Sequence, residues 1–407
     1  MGILRTDSLK EAMILADDVK DMKGKLLLAK GQELEARHIR IFKIWGVTEV
    51  NVVGNVGNEE NPEPDVSPER IEKIKEKTKP FFCHVDPDHP AIKEIFRLSV
   101  LFRSRNGISE LHKNIPAKQS GIPGDYPKLD VRQKILNTEI KLPEIPSIVF
   151  ELNEVIVDPL ASTDNIAQVV NKSPSLTALL LRIVNSPFYG FPSKIESISR
   201  AVTIIGTREI SSLALGISMI TNFQGIPKEI LDMYSFLRHG LACGIMSRLL
   251  AAHKHMPQTE QLFVSGLLHD IGRLIVYKYF PGQAKNLLRV CRASNGLLYE
   301  AEDIYLGCRH TDIGKYLLRE WRLPPALESN IFYHHNPSNA PDPISAAIVH
   351  LADIIVNGLG MGSSGEILVP PLDCEAWDRL GLSTSSFQVA IGQAIHQMVA
   401  LESFLEG

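Results

Sequence analysis

The sequence has few cysteines, no long apolar runs and no excess of basic residues, and each of these absences argues against a class of protein. Five cysteines are scattered over 407 residues and none forms a CxxC pair. This argues against a disulfide framework or a zinc ribbon and fits a reducing cytoplasm. No apolar run approaches the ~18 uncharged residues of a membrane helix, and no signal peptide is recognisable. We therefore expect a cytoplasmic protein with no membrane partner.

The charge balance argues against a dedicated nucleic-acid binder. The chain carries 43 Lys and Arg against 47 Asp and Glu, a formal net charge of −4, whereas such binders usually have a basic excess. Apolar residues make up 44% and charged residues 22%, which is an ordinary globular balance. At roughly 100–200 residues per domain, the length predicts two or three domains.

Three stretches of the chain differ in their residue patterns. Residues 1–55 hold brief apolar runs around one stretch of helical spacing, which predicts a small α+β module. Residues 56–129 contain a Gly-, Asn-, Glu- and Pro-rich linker and then a helical segment, whose start is marked by Ser67 before Pro68. From residue 130 onward the pattern is helical almost throughout, with helix ends predicted at Gly206, Gly240 and Gly272. The predicted fold class is therefore mainly α.

The sequence contains thirteen histidines, and most of them lie after residue 238. His269 and Asp270 follow an apolar run, so we expect one helix to carry both side chains toward a common site. A single histidine on an apolar helix is more often a hydrogen-bonded core or surface residue, and His350 and His396 are interpreted in this way. Seven positions in apolar helical contexts form a more specific pattern: His239, His269, Asp270, His310, His334, His335 and Asp353.

These seven residues predict a metal site. Imidazole and carboxylate ligands suit divalent first-row metals such as iron, manganese or zinc. Two close metal ions could share a bridging hydroxide and hold a phosphoryl group for in-line attack. The residues alone leave open whether one or two ions bind.

Residues 130–360 resemble the HDOD family, a divergent branch of the HD-domain superfamily. The motifs that carry the resemblance include LPEIP at 142–146, LLRIVNSPFYG at 180–190 and ISRAVTIIG at 198–206. The resemblance implies a body of two helical parts, an HDOD-specific bundle at 130–225 and an HD-like bundle at 226–407.

The second part of the body is similar to the motif series of HD phosphohydrolases. That series has a His, an HD pair, a later His, a His pair and an Asp. Carried over residue by residue, it gives the same seven candidates named above. The resemblance thus implies that this chain keeps ligands that many HDOD members have lost.

The chain departs from the related HD-GYP phosphodiesterases in two ways. Arg273 stands where the motif HDxGK has a lysine, and its guanidinium fork can still bind phosphate. No DGxGYP motif follows the His pair, where the sequence is NPSNAPD at 336–342, and this argues against cleavage of cyclic-di-GMP by the HD-GYP route. Residues 9–53 resemble the small module ahead of some HD-GYP domains, with an unrelated α+β cap as the alternative.

The resemblance leads to three functional hypotheses. The first is a bacterial-type signal-transduction or regulatory protein that retains an HD-type metal site and binds a small phosphate-containing ligand or a signalling partner protein. The second is a metal-dependent phosphohydrolase, acting on phosphomonoesters or phosphodiesters, with Asp270 and Arg273 as catalytic residues and Arg273 neutralising phosphate charge. The third is a scaffold whose histidines merely hydrogen-bond among themselves.

Overall fold

The computed structural model describes residues 2–6, 9–20, 26–44, 47, 49–53, 67–108, 130–136, 147–157, 162–185, 194–221, 223 and 225–405. Helices make up most of this part of the chain, and its strands all lie before residue 53. The mainly α fold class expected from the sequence is therefore confirmed. Within these ranges, no helix has the length and apolar character that crossing a membrane requires.

A small α+β module comes first in the chain. Its elements are β1 (Gly2–Arg5), β2 (Val19–Lys20), β3 (Leu26–Leu28), α1 (Ala36–Ile44) and β4 (Glu49–Val52). Strand β1 pairs with β4 and strand β2 with β3, both antiparallel. Leu15, Leu34 and Phe42 are buried in a core of its own. The expected α+β module is confirmed, whereas its likeness to modules ahead of HD-GYP domains stays a prediction.

The rest of the described chain is a succession of helices. Their sequence signals include Ser67, Ser162 and Ser173, whose hydroxyl groups each accept a hydrogen bond from the backbone three residues ahead and so cap a helix start. The helices are α2 (Pro68–Thr78), α3 (Pro90–Asn106), α4 (Val131–Leu136), α5 (Ser147–Val157), α6 (Thr163–Asn171), α7 (Pro174–Val184), α8 (Ile198–Ile205), α9 (Thr207–Thr221), α10 (Met233–His253), α11 (Thr259–Leu268), α12 (Ile271–Tyr279), α13 (Pro281–Ser294), α14 (Leu298–Leu306), α15 (His310–Glu320), α16 (Pro325–Tyr333), α17 (Pro343–Leu359), α18 (Cys374–Leu380) and α19 (Ser385–Leu405).

The helical body has one continuous apolar core that extends along the chain from Phe81 to Met398. Side chains of α3 belong to it, and Arg103 of α3 donates hydrogen bonds of 2.8 and 3.2 Å to the carbonyl oxygen of Gly358 in α17. The helical segment expected within 56–129 thus packs on the body. The domain boundaries after residues 55, 129 and 225 stay predictions, and the linker at 54–66 and the motif at 142–146 lie outside the described ranges.

Glycines bring α10 and α11 into backbone contact, and this contact positions the site. A Cβ at Gly240 would lie 2.6 Å from the carbonyl oxygen of Leu267, and one at Gly266 would lie 2.6 Å from that of Cys243. Only glycine allows so close an approach. The expectation that a helix ends at Gly240 is therefore wrong, because this glycine lies inside α10 and serves close packing. Gly206 does end α8, as expected.

Candidate metal centre

The HD pair lies at a break between two helices. Helix α11 ends directly before His269 and α12 begins directly after Asp270, so the expectation that one helix carries both side chains is wrong. Gly272, which was expected to end a helix, lies instead in the first turn of α12. A Cβ there would come within 2.0 Å of the carbonyl oxygen of His310. This glycine therefore lets α12 approach the start of α15 and brings His310 to the HD pair.

The candidate residues converge in one region, part of which forms a first cluster of His239, Cys243, His269 and Asp353. His239 Nε2 lies 3.3 Å from His269 Nε2, and both nitrogens lie 3.4 Å from Asp353 Oδ1. Cys243 follows His239 by one turn of α10, and its Sγ lies 3.7 Å from His239 Nε2. None of the four residues is more than 4% exposed. The donor atoms of the first cluster are thus enclosed by protein.

A second cluster consists of His310, His334 and His335. His310 Nε2 lies 3.4 Å from His334 Nε2, and both residues are fully buried. The ring of His335 stacks on Tyr299 with 4.1 Å between ring centroids. Neither nitrogen of His335 has a hydrogen-bond partner among the described residues, and the residue as a whole is half-buried. The second cluster is therefore the side of the site nearer to solvent.

Asp270 lies between the two clusters. Its Oδ2 is 3.1 Å from His269 Nε2, and its Oδ1 is 2.9 Å from His310 Nε2. One carboxylate thus faces imidazoles of both clusters, as a ligand shared by two metal ions would. All seven residues expected from the sequence are accounted for in the two clusters and this link between them.

Hydrogen bonds at the far side of the rings fix the tautomers of the histidines. His269 Nδ1 lies 2.7 Å from the carbonyl oxygen of Gly266, and His334 Nδ1 lies 2.7 Å from that of Ile331. Because a carbonyl oxygen can only accept, each Nδ1 carries the proton and donates it, so Nε2 of the neutral ring directs a lone pair into the site. Metal-binding histidines in proteins are usually held in this way.

The carboxylates and imidazoles shift one another's pKa values. Burial alone would lower the pKa of His269, but the carboxylates of Asp270 and Asp353 outweigh it and raise this pKa to about 10. Burial works against the charged form of Asp353 as well, yet the rings of His239 and His269 hold its pKa well below the usual range. For His334, burial and the neighbouring charged rings lower the pKa well below its usual value. In metal-free protein, protons would therefore balance part of the carboxylate charge.

Arg273 is only 2% exposed, and its guanidinium is engaged by protein groups. It donates hydrogen bonds to Asp270 Oδ2 at 2.9 Å, to Glu302 Oε1 at 3.0 Å and to Ser364 Oγ at 2.6 Å. These contacts support a role in holding Asp270 in place. The phosphate-neutralising role expected from the sequence stays a prediction, and these contacts do not support it.

The spacing of the first cluster fits a tetrahedral divalent ion. Zinc bonds to nitrogen and oxygen at the tetrahedral angle place neighbouring donor atoms about 3.3–3.5 Å apart. The three edges between His239 Nε2, His269 Nε2 and Asp353 Oδ1 measure 3.3, 3.4 and 3.4 Å. These residues could hold one ion, and His310 and His334, with Asp270, could hold another. The residues present therefore fit a metal centre.

Three residues that contact the site were missed as candidates or set aside. Glu302 accepts a hydrogen bond from His310 N at 2.8 Å and lies 2.6 Å from its Nδ1; nothing in the sequence marks it. Cys243 could have been found from its spacing of four after His239. His350 is a hydrogen-bonded core residue, as interpreted, and donates from Nδ1 to the carbonyl oxygen of His334 at 2.7 Å.

Comparisons with solved structures agree on the fold. An HDOD domain protein of unknown function from Geobacter sulfurreducens has a TM-score of 0.58 at 21% identity and covers 68% of this chain and 97% of its own. A protein from Shewanella amazonensis, assigned provisionally as a phosphohydrolase, has a TM-score of 0.53 at 20% identity and covers 69% of this chain and 100% of its own. At such identities, the likeness shows the fold alone.

Sequence comparisons point to the same family. A relative from Treponema pallidum, itself uncharacterised, is 24% identical over 207 residues, which is 49% of this chain and 39% of that protein. The match thus spans well under half of that relative's length. The HDOD domain model matches residues 142–337, a range that includes six of the seven candidates and ends before Asp353. The helical body of this chain thus contains an HDOD domain.

Proposed function

We propose that this chain is a regulatory HDOD protein of signal transduction that holds one or two divalent first-row metal ions in its HD-type site and binds a small phosphate-containing ligand there. The observation that carries this proposal is the convergence of four imidazole Nε2 atoms and two carboxylates in a buried region. Such a set is costly to bury unless a cation or protons balance its charge. In a scaffold without metal, protonated imidazoles would have to balance the two carboxylates.

Neighbouring groups orient the histidines of the site and hold its shared carboxylate in place. His269 and His334 are oriented by backbone carbonyls, and His310 is oriented by Glu302. A bound divalent cation would supply the positive charge that attracts phosphate oxygens. Arg273 keeps Asp270 in place between the clusters. These contacts support a rigid binding site.

A ligand would approach from the side of the second cluster. His335 is the half-buried member of the set and stacks on Tyr299. Arg309 also lies over the Tyr299 ring, with its guanidinium carbon 5.4 Å from the ring centroid and its side chain 39% exposed. A cation, an aromatic ring and a metal-facing histidine on one side favour a phosphate-bearing ligand. A signalling partner protein that presents such a group is included in the proposal.

A metal-dependent phosphohydrolase is the second candidate function. The position of Asp270 between the clusters favours it, because a carboxylate shared by two ions is a feature of two-metal hydrolysis. The similar Shewanella protein is provisionally assigned to that class. Against it, Arg273 is already paired with two carboxylates, so the cation expected to contact phosphate is occupied.

One titration series separates the candidates. Chelator-treated protein and protein reloaded with zinc, manganese or iron are titrated with inorganic phosphate, a phosphomonoester, a nucleotide and a cyclic dinucleotide, and phosphate release is followed in parallel. We expect binding of at least one compound to reloaded protein only, without turnover, and the same behaviour in the surface variant His396→Ala. Turnover that disappears in the double variant His269→Ala, Asp270→Ala would establish the phosphohydrolase instead. Failure of every compound to bind any metal form would contradict the proposal.

A further inference from the structure

We propose that Cys243 is a metal ligand, and that the first cluster is a closed zinc site made of His239, Cys243, His269 and Asp353. The inference rests on the proposed function in one respect, namely that the HD-type site holds a divalent metal. It goes further by adding a thiolate to a ligand series that otherwise consists of histidine and aspartate. It also assigns the metal and the number of ions in this cluster.

Four of the six distances between the donor atoms have the lengths expected of a tetrahedral site. All four lie within 4.8 Å of one another. With zinc–sulfur bonds of about 2.3 Å and zinc–nitrogen bonds of about 2.0–2.1 Å, the tetrahedral angle places sulfur about 3.6 Å from nitrogen. The distance from Cys243 Sγ to His239 Nε2 is 3.7 Å. Because Cys243 follows His239 by four residues in α10, both side chains lie on the same face of the helix.

Asp270 is the competing candidate for the fourth corner, because its Oδ2 lies 3.1 Å from His269 Nε2. Its Oδ2 lies 2.9 Å from an Arg273 nitrogen and 3.8 Å from His239 Nε2. Its Oδ1 faces His310 Nε2 at 2.9 Å. Asp270 is thus engaged by a buried guanidinium and shared between the two clusters, whereas Cys243 Sγ lies among donor atoms of the first cluster. Cys243 Sγ is the donor nearer to His239.

The charge balance of the buried region also favours a thiolate. A zinc ion with two neutral imidazoles, the Asp353 carboxylate and the Cys243 thiolate is electrically neutral, which is the state a dry pocket favours. Among the other buried charges, Arg273 pairs with both Asp270 and Glu302, and Glu302 also lies against His310. Without the thiolate, the ion and its other three ligands would together carry a net charge of +1. On binding, the thiol proton is released as the sulfur–zinc bond forms.

A closed site with four protein ligands has a structural role, because catalytic zinc sites keep one position open. Thiolate also favours zinc over manganese. The first cluster would then hold a permanent ion that fixes α10, α11 and α17 relative to one another. Ligand binding would be left to the second cluster, which is nearer to solvent.

The test uses spectroscopy of the full chain. X-ray absorption at the zinc edge of the loaded protein should show one sulfur at about 2.3 Å among nitrogen and oxygen neighbours. The cobalt(II) form should show a thiolate-to-cobalt charge-transfer band in the near ultraviolet, present in the control Cys291→Ser, a buried cysteine of α13, and absent in Cys243→Ser. Zinc affinity should fall by about 100-fold or more in Cys243→Ser and stay unchanged in Cys291→Ser.

The outcomes separate the two claims. If zinc binds with a shell of nitrogen and oxygen only, the role of Cys243 is refuted while the proposed function stands. If no divalent ion binds at all, both the role of Cys243 and the proposed function are refuted. Should Cys243→Ser not fold, the absorption spectrum of the zinc-loaded wild-type protein still decides between a shell with sulfur and one without it.

Discussion

The two clusters of the site differ in enclosure and in charge. The first cluster has its own carboxylate, and none of its residues is more than 4% exposed. The second cluster is made of imidazoles alone, depends on Asp270 and Glu302 for negative charge, and includes the half-buried His335. A site with complete ligands and no access suits a permanent ion. A site with incomplete ligands and some exposure to solvent suits an exchangeable ligand. The comparison therefore gives the first cluster a structural role and the second cluster a role in ligand binding.

The largest effect is expected where the clusters share a buried charge network. Glu302→Gln removes one of the two carboxylates that pair with Arg273 and weakens the contact to His310. Breaking a buried ion pair on one side costs about 3–5 kcal/mol of unfolding free energy. Urea unfolding measures it, with Asp303→Asn as the matched control, since the Asp303–Arg309 pair is exposed and should contribute less than about 1 kcal/mol. Equal losses in the two variants would refute the network.

The division between the clusters predicts unequal effects on zinc-dependent stability. At free zinc 100 times the Kd, binding should raise the unfolding free energy of the wild-type protein by about 2.7 kcal/mol. His269→Ala should abolish this increase, because the residue belongs to the first cluster. His334→Ala should retain most of it. Thermal or urea unfolding with and without zinc measures the increase, and an equal loss in both variants would mean that the clusters bind metal only as one unit.

A smaller effect is expected from the glycine that joins the clusters. In Gly272→Ala the new Cβ would meet the carbonyl oxygen of His310 at 2.0 Å, so α12 and α15 must separate. Overpacking of this kind costs about 1–3 kcal/mol, and zinc-independent unfolding measures it. Gly392→Ala is the control, because its Cβ would meet nothing within 4 Å in α19 and should stabilise by up to about 1 kcal/mol. If Gly272→Ala leaves the unfolding free energy unchanged, the close approach of α12 to α15 is contradicted.

The last effect is a pH dependence that should be present in metal-free protein and absent from metal-loaded protein. In metal-free protein the pKa of His269 rises from 6.5 to about 10, so its charged form contributes stability that is complete below pH 6.5 and is lost as pH rises toward 10. Metal-loaded protein should not lose stability between pH 6.5 and 9, because metal ligation uses neutral imidazole. Urea unfolding at pH 6.5 and 9, with chelator or zinc, makes the comparison. If the unfolding free energy changes with pH by the same amount in chelator and in zinc, the prediction is wrong.

Much of this organisation follows from residue types and their order. Helical spacing predicted the mainly α body, and the succession of His239, the HD pair and the later ligands predicted the set that converges. The helix break inside the HD pair was not predictable from local pattern, because His269 and Asp270 are adjacent and neither is a Gly or Pro that would mark a break. It depends on how α11 and α12 pack against other helices.

Tertiary contacts also explain the other failures of the sequence interpretation. Gly240 and Gly272 have the pattern of helix ends, but their neighbours in space require a missing Cβ, which no local signal reports. Glu302 precedes His310 by eight residues and reaches it only because α14 and α15 fold together. Arg273 matches the position of a phosphate-binding lysine in sequence, while its partners Asp270 and Glu302 are set by that same packing.

The central claim is that the convergent histidines and aspartates hold a divalent metal, and elemental analysis tests it most directly. The protein is purified without chelators or metal-affinity resin, and iron, manganese and zinc are measured per chain. The first cluster predicts about one zinc ion per chain, with the same value in His396→Ala and a loss in the double variant His269→Ala, Asp270→Ala. A content that stays near zero after incubation with each of the three metals would contradict the account.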